Sequence, residues 1–408
     1  MTRLLIHDYS GHPFQVQLSR ALAKRGHEVL HQHFADFQTP KGALTRTEDD
    51  PPTFAVEGLR LDAPFQKQSF AKRVVQEHRY GQVALAAARR FRPEVFVASN
   101  IPLDPLGILQ RGLQRDGCRL VLWWQDIYSV AMGKILPKKL PVVGPLVAER
   151  YRRLERRICR DVDAIVCITE DFLPVLRAWG GDAAKATVIE NWAPLDEIRP
   201  SLQDNAWSQA QGLAGRPVLL YSGTLGHKHN PELLWRAAVR IGETPGLEAG
   251  RVVVISEGIG ADWLRQRLAA APRVPLTILP FQPYDRFSEV LASAQVVAGI
   301  LEPDAGVFSV PSKVLSYLAA GRAILLGAPA ENLASRTITR VEAGRVVSAD
   351  DPDAFADAAV ALLRDPELAV RLGANGRTHA VQAFDIDTIA DRFEATMALA
   401  PAKLPRAA

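Results

Sequence analysis

Short apolar runs alternate with amphipathic stretches along most of the chain. Leu4–Ile6 reads as a strand, and the loop Tyr9-Ser-Gly-His-Pro13 follows it. The next stretch, about 14–25, places Phe14, Leu18, Ala21 and Leu22 on one helical face and stops at Gly26. Glu28–Leu30 begins another strand, which completes a βαβ unit. Residues 36–70 are polar and proline-rich without a clear period and are expected to be an irregular excursion. A helix over about 71–91, a strand at Val95–Ala98, a second helix and a strand at Leu120–Trp124 come next. Strands at Ala164–Ile168 and Thr187–Ile189 flank a helix from Phe172 to Trp179.

The pattern restarts after Pro200 and the polar stretch Ser201–Gln211. Apolar runs at Val218–Tyr221, Val252–Ile255, Leu276–Leu279, Val296–Leu301 and Ala323–Leu326 read as buried strands. Between the last two, a helix from Ser312 sets Val314, Leu315, Leu318 and Ala319 on one face, and Gly321 is placed to end it. At the C-terminus, Asp385 can cap a helix with Ile386, Ile389, Ala390, Phe393 and Met397 on one face; the Pro- and Ala-rich tail after Ala400 is expected to fray. Strand–helix alternation predicts right-handed crossovers and mainly parallel sheets. The reading is α/β: a doubly wound domain over 1–199, a second over 200–384, and a terminal helix and tail over 385–408.

Size agrees, because 408 residues exceed one typical core. The three cysteines, Cys118, Cys159 and Cys167, form no CxxC pair and read as buried thiols of a reducing compartment. No signal-peptide core opens the sequence and no run approaches a membrane span, so a cytoplasmic location is expected. The net charge of +4 is uneven: residues 1–200 hold 29 Lys+Arg against 23 Asp+Glu, the rest 20 against 22. That excess is modest, and no nucleic-acid partner is expected. Its densest part, Lys134–Arg160, has three lysines, six arginines and the apolar Leu140–Val143, opposed within it by Glu149 and Glu155. Such a segment suits an anionic membrane surface or is a solvated helix face.

Candidate chemistry lies at strand ends. Gly11 sits in the first strand-to-helix turn, which lacks a GxGxxG pattern but allows a ligand close to the backbone. Asp126 follows a strand where open α/β sheets place ligands; it serves equally as a helix cap or turn residue. Gly223-Thr-Leu-Gly226 offers approachable backbone near Lys228, which taken alone reads as a surface lysine. Ser312 is expected as an N-cap, so that Pro311-Ser312-Lys313 opens a helix whose N–H groups face the loop before it. Asn230 is the expected cap of the helix that starts at Pro231. The two glycine- and helix-start sites together suit a diphosphate. His7, His31 and His33 form no metal cluster and read as structural or exposed.

In order, Tyr221-Ser-Gly-Thr-Leu-Gly, Ser256-Glu-Gly-Ile-Gly, Phe281-Gln and Pro311-Ser-Lys-Val-Leu-Ser-Tyr-Leu-Ala-Ala-Gly resemble the donor-binding half of retaining, nucleotide-sugar-dependent glycosyltransferases of family 4. Ser10-Gly-His-Pro-Phe, Leu22–Val29, Trp124-Gln-Asp126 and Val188–Trp192 resemble the family's first half, nearest its colanic-acid and O-antigen polysaccharide-assembly branch. The resemblance implies a GT-B fold: two Rossmann-like doubly wound domains, a cleft between them, and a final helix crossing back to the first. It implies a nucleotide-sugar donor, a glycan or polyprenyl-diphosphate-linked acceptor, no cofactor and no metal requirement. It points to peripheral attachment at the inner face of the plasma membrane. Donor contacts would fall on Gly223, Thr224, Lys228, Glu257, Gly258, Phe281, Gln282, Asp304, Val310, Pro311, Ser312, Lys313 and Ser316. Acceptor contacts would fall on Gly11 and His12, with His12 and Asp126 as the catalytic candidates.

The chain departs from the family pattern in places. Thr224 stands where the family has an arginine, and the family's lysine falls slightly further on than Lys228, so Lys228 or its neighbour His229 is the candidate for that role. Its paired glutamates fall on Phe308 and Ser316, leaving Asp304 or Glu302 as substitute carboxylates. A nucleotide-sugar epimerase or phosphorylase on the same fold, and a partner subunit without catalysis, stand as the alternatives.

Overall fold

The computed structural model describes residues 1–37, 44–63, 70–226, 229–301 and 311–399. Within them the chain forms two compact units, one of Met1–Glu190 with the helix Ile386–Leu399, the other of Asn191–Asp385.

The first unit carries seven strands: β1 Arg3–Asp8, β2 Glu28–Phe34, β3 Phe54–Leu59, β4 Val95–Ser99, β5 Arg119–Trp124, β6 Ala164–Cys167 and β7 Ala186–Val188. All pair in parallel, in the order β3-β2-β1-β4-β5-β6-β7. Their near-continuous apolar runs reflect a sheet covered on both faces by helices. β3 corrects the reading of residues 36–70 as irregular throughout. Its Phe-Ala-Val-Glu-Gly-Leu is short and carries a glutamate and a glycine, and pairing along β2 supplies the order that its own pattern lacks.

The second unit carries β8 Val218–Ser222, β9 Arg251–Ile255, β10 Leu276–Leu279, β11 Val296–Ile300, β12 Ala323–Gly327 and β13 Gly344–Val347. They are again parallel, in the order β10-β9-β8-β11-β12-β13. Leu233, Leu234, Ala237 and Ile241 on one helix pack with Phe355 and Ala359 on another against Leu219, Val252 and Leu325 of the sheet.

In each sheet the order reverses direction once, between β1 and β4 and between β8 and β11. Helices leave to opposite faces at such a point, so the carboxyl ends of those strands flank an opening. The first unit's opening is therefore bordered by residues after Asp8 and Ser99, the second's by residues after Ser222 and Ile300.

The terminal helix belongs to the first unit. Phe393 stacks edge-on against Trp123 at 4.7 Å, and the Arg25 guanidinium bonds Glu394 at 2.7 Å and also reaches Asp391 and Asp387. The three cysteines are buried and free.

Candidate functional site

In the second unit the turn after β8 is held from several sides. Gly223 N–H donates to Ile255 O at 3.0 Å, and Leu225 N–H to Ser256 Oγ at 3.0 Å. The Tyr221 hydroxyl donates to Thr224 O at 3.0 Å, and Gly260 N–H to Leu225 O at 3.0 Å. Gly223 has φ 137°, a backbone state that a side chain strains. A Cβ there would also lie 2.9 Å from Lys313 Nζ, so the end of the lysine side chain would have to shift.

Lys313 enters from the helix Ser312–Ala320. Its ammonium donates to the Tyr221 hydroxyl at 2.7 Å and lies 4.0 Å from the centre of that ring. Removal from water pulls its pKa down to about 7. No carboxylate among the described residues pairs with it. Tyr317, one turn on, donates to Ala298 O at 3.0 Å and so fixes the helix against β11. Ser316 precedes it, partly buried.

Two expectations about this helix meet different outcomes. Gly321 ends it in the left-handed conformation, φ 66° and ψ 39°. Ser312 is not the N-cap: Pro311 holds that position, and Ser312 is the first helical residue, exposed and without a capping bond. Proline at the cap has no side-chain acceptor, so the first N–H groups are not met by a cap. Asn230 lies one residue outside its expected place, with Pro231 at the N-cap, yet its Oδ1 still accepts from Glu232 N–H at 3.0 Å.

Of the remaining donor candidates, Gly258 has φ 99° and starts the helix Ile259–Ala270, with exposed Glu257 beside it. Thr224 is exposed, and Phe281 is 38 % exposed. The Gln282 side chain is engaged within the unit: Oε1 accepts from Trp207 Nε1 at 3.0 Å and Nε2 donates to Pro280 O at 2.9 Å. Lys228, Glu302, Asp304, Phe308 and Val310 lie outside the described residues.

The first unit gathers a second constellation at its own reversal point. Asp8, fully buried at the end of β1, accepts from Ser10 N–H at 3.0 Å and from His12 N–H; its Oδ1 lies 3.4 Å from His12 Nδ1 and from Asn100 Nδ2. Gly11, at φ 79°, lets the chain fold around that carboxylate. Burial works against the charge of Asp8, but His12 and these donors outweigh it and hold the pKa at about 2. His12 is raised: desolvation opposes its charge, and Asp8 and then Asp126 favour it. Asn100, after β4, sits at φ 56° and its carbonyl accepts from the Tyr128 hydroxyl at 3.1 Å.

Asp126 is half-buried beyond the end of β5 and lines a cavity with Asn100, Trp124, Tyr128 and Glu155. The helix Tyr128–Lys139 takes its N-terminal acceptor from Glu155, a buried carboxylate bonded to Tyr128 N–H at 3.1 Å, Ser129 N–H at 2.8 Å and Trp124 Nε1 at 3.1 Å. Glu155 does not therefore oppose the neighbouring arginines at the surface. Arg152 and Arg153 pair with Glu149, and Arg150 with Asp104 at 2.6 Å.

His7, His31 and His33 are buried. Desolvation lowers His7 to about 4 and His31 to about 3, which keeps both neutral at pH 7. His7 bridges Gln32 at 3.1 Å and Tyr80 at 2.9 Å. Among the described residues no group of three or more His, Cys, Asp or Glu is placed to hold a metal ion.

Asp8, Asn100 and Glu155 were not among the residues singled out from the sequence. Asp8 had a faint signal, since an Asp two residues before a Ser–Gly pair commonly turns its carboxylate onto the backbone. Asn100 and Glu155 had none, because their partners are distant in sequence.

The chain is similar to known proteins in sequence and in fold. Residues 12–192 match the model of the glycosyl transferase 4-like domain, and residues 216–365 match that of glycosyl transferases group 1, between them most of the chain. D-inositol 3-phosphate glycosyltransferase of Nocardia farcinica is 30% identical over 240 residues, which are 55% of this chain and 50% of that protein. WcaI of Escherichia coli, described as a colanic acid biosynthesis glycosyl transferase, is 24% identical over 241 residues, 58% of each chain. The match thus spans only about half the length of these relatives. Anabaena HepE, solved with UDP and glucose, superposes with a TM-score of 0.71 at 15% identity over 98% of this chain and all of its own, a likeness of fold. The two parallel Rossmann-like sheets have the GT-B fold, and with both domain models matched in order, the chain belongs to the group 1, family 4 glycosyltransferases.

Proposed function

We propose that this protein transfers a sugar from a nucleoside diphosphate donor to a hydroxyl of a glycan or lipid-linked acceptor, with retention at the anomeric carbon, in polysaccharide assembly. The observation that carries the reading is the Lys313 cation over the Gly223 turn, paired with no carboxylate among the described residues, at the reversal point of a sheet in a family 4 chain. HepE holds UDP and glucose, and WcaI is tied to colanic acid biosynthesis; both favour a nucleotide-sugar donor and a polysaccharide product here.

In this reading the bond from the anomeric carbon to the diphosphate breaks and the bond to the acceptor oxygen forms on the same face. The leaving diphosphate gains negative charge as the sugar becomes oxocarbenium-like. The start of the helix Ser312–Ala320 and the Lys313 ammonium meet that charge as fixed dipoles and a point charge, beside a Gly223 turn whose own N–H groups are largely engaged within the unit. The acceptor proton passes to the departing phosphate oxygen, so no glycosidase-type carboxylate pair is required. His12, held by Asp8, and Asp126 orient hydroxyls of sugar or acceptor. Glu257, Gly258, Thr224, Phe281, Pro311, Ser312 and Ser316 border the donor. Gln282 acts only indirectly, through Trp207.

Membrane contact is part of the proposal. Leu140, Val142, Val143 and Leu146 are exposed beside Lys134 and Lys138, a surface suited to an anionic leaflet bearing a lipid-linked acceptor.

The test is turnover with UDP- and GDP-sugars, read by release of the nucleoside diphosphate and by the anomeric configuration of the first product. Retained configuration with diphosphate release supports the transferase. A changed sugar on an intact nucleotide would indicate an epimerase, and nucleotide binding without turnover a partner subunit.

A further inference from the structure

We propose that capture of the donor's diphosphate is proton-linked: Lys313, held against the Tyr221 hydroxyl and ring over Gly223, takes up a proton when the anion arrives. The inference rests on the nucleotide-sugar reading and adds a regulation of that same site by pH.

Three observations support it. The first is position. Lys313 Nζ lies directly over Gly223, where the Cβ of any other residue would come within 2.9 Å of it, at the carboxyl end of β8. A phosphate approaching the Gly223 backbone would meet this ammonium first. The second is its resting partner. Tyr221 has one hydroxyl proton, which it gives to Thr224 O at 3.0 Å, so it only accepts from Lys313, at 2.7 Å. A phenol oxygen and the face of its ring solvate an ammonium but do not neutralise it.

The third is the lack of compensation. Lys313 faces Tyr221 on β8 and shares its own helix with Tyr317, and burial raises both phenols so that they stay neutral across the physiological range. No charged side chain among the described residues acts on it, and desolvation alone draws its pKa to about 7. An anion within contact distance reverses that balance, because a nearby negative charge favours the protonated amine.

The sign follows. Between about pH 7 and the higher value restored by a bound diphosphate, free Lys313 is largely neutral and bound Lys313 is charged. Binding then consumes close to one proton, and affinity falls as pH rises, approaching tenfold per pH unit. The terminal phosphate of UDP or GDP is fully ionised above about pH 7.5, so it does not obscure the effect there; inorganic pyrophosphate, which still loses a proton in this range, serves as a probe of binding only.

The experiment is calorimetric titration of the full chain with UDP, GDP and inorganic pyrophosphate at pH 7.5, 8.5 and 9.5. Two buffers of different ionisation heat are used at each pH to count protons, and melting curves confirm that each variant is folded. The wild type is expected to take up nearly one proton at pH 8.5 and to weaken steeply with pH. Lys313→Arg, whose guanidinium stays charged, is expected to bind with affinity flat over this range. Lys313→Met is expected to lose tenfold or more in affinity at pH 7.5 together with the proton uptake. Wild-type binding that is independent of pH, or Lys313→Met that retains the proton uptake, would overturn the inference and leave the transferase reading standing. Absence of binding by all three probes at every pH would overturn both.

Discussion

At the scale of single residues, the two candidate centres differ in what holds them. Lys313 has no counter-charge among the described residues, and Asp8 is an anion wrapped in donors. The Asp8 carboxyl lies below its ordinary value, so its stabilising contribution is present above the unfolded pKa near 4 and is lost as pH falls toward about 2. Asp8→Asn removes the charge but keeps the volume. The stability gap between wild type and Asp8→Asn, from urea unfolding, should be roughly 1 kcal/mol smaller at pH 3 than at pH 5. A gap that does not change with pH would show that Asp8 titrates normally. Legibility at this scale was partial. Gly223 and His12 stood out because a glycine at a strand-to-helix turn and its neighbours are local signals, whereas Lys313 was expected only as part of a helix start and the cation was sought at Lys228. Asp8 and Glu155 did not, because a buried carboxylate is identified by donors that only the fold brings to it. For Ser312 the expectation failed at one position: proline fixed the cap one residue earlier.

Among elements, continuous apolar runs were the clearest signal, and the strands expected from them in both sheets are present. β3 was missed because an edge strand with a polar, glycine-containing sequence takes its order from its neighbour. The basic segment after Asp126 resolves into the helices Tyr128–Lys139 and Gly144–Asp161. Most of its arginines are engaged within the unit, by Glu149, Asp104, Asp161 and the Trp179 carbonyl. What the segment offers a membrane is the connection between the two helices, with Val142 86 % and Leu146 74 % exposed and the exposed Lys138 close by in sequence. Each lysine near an anionic leaflet contributes about 1 kcal/mol, screened within a Debye length. The expected result is weak sedimentation with phosphatidylserine-containing vesicles at low salt, lost at high salt and lost in Val142→Asp/Leu146→Asp. Equal recovery with neutral and anionic vesicles at low salt would remove the membrane from the proposal without touching the chemistry.

Across the whole molecule, one architecture occurs twice. Each sheet reverses its strand order once, and each reversal point carries a candidate centre, Asp8–His12–Asn100 in the first unit and Tyr221–Gly223–Lys313 in the second. The alternation of strands and helices was enough to anticipate two parallel sheets, because crossover connections permit little else. The ligand chemistry rested on motif resemblance, and several of those motif positions, Lys228, Asp304 and Val310 among them, lie outside the described residues. The central claim, that the second unit binds a nucleoside diphosphate at its reversal point, is tested most directly by backbone hydrogen exchange with and without saturating ligand, using whichever of UDP or GDP gives the larger thermal stabilisation. Slowed exchange concentrated in peptides covering 222–226 and 312–317 is the expected result; slowed exchange confined to the first unit, or no stabilisation by either nucleotide, would contradict it.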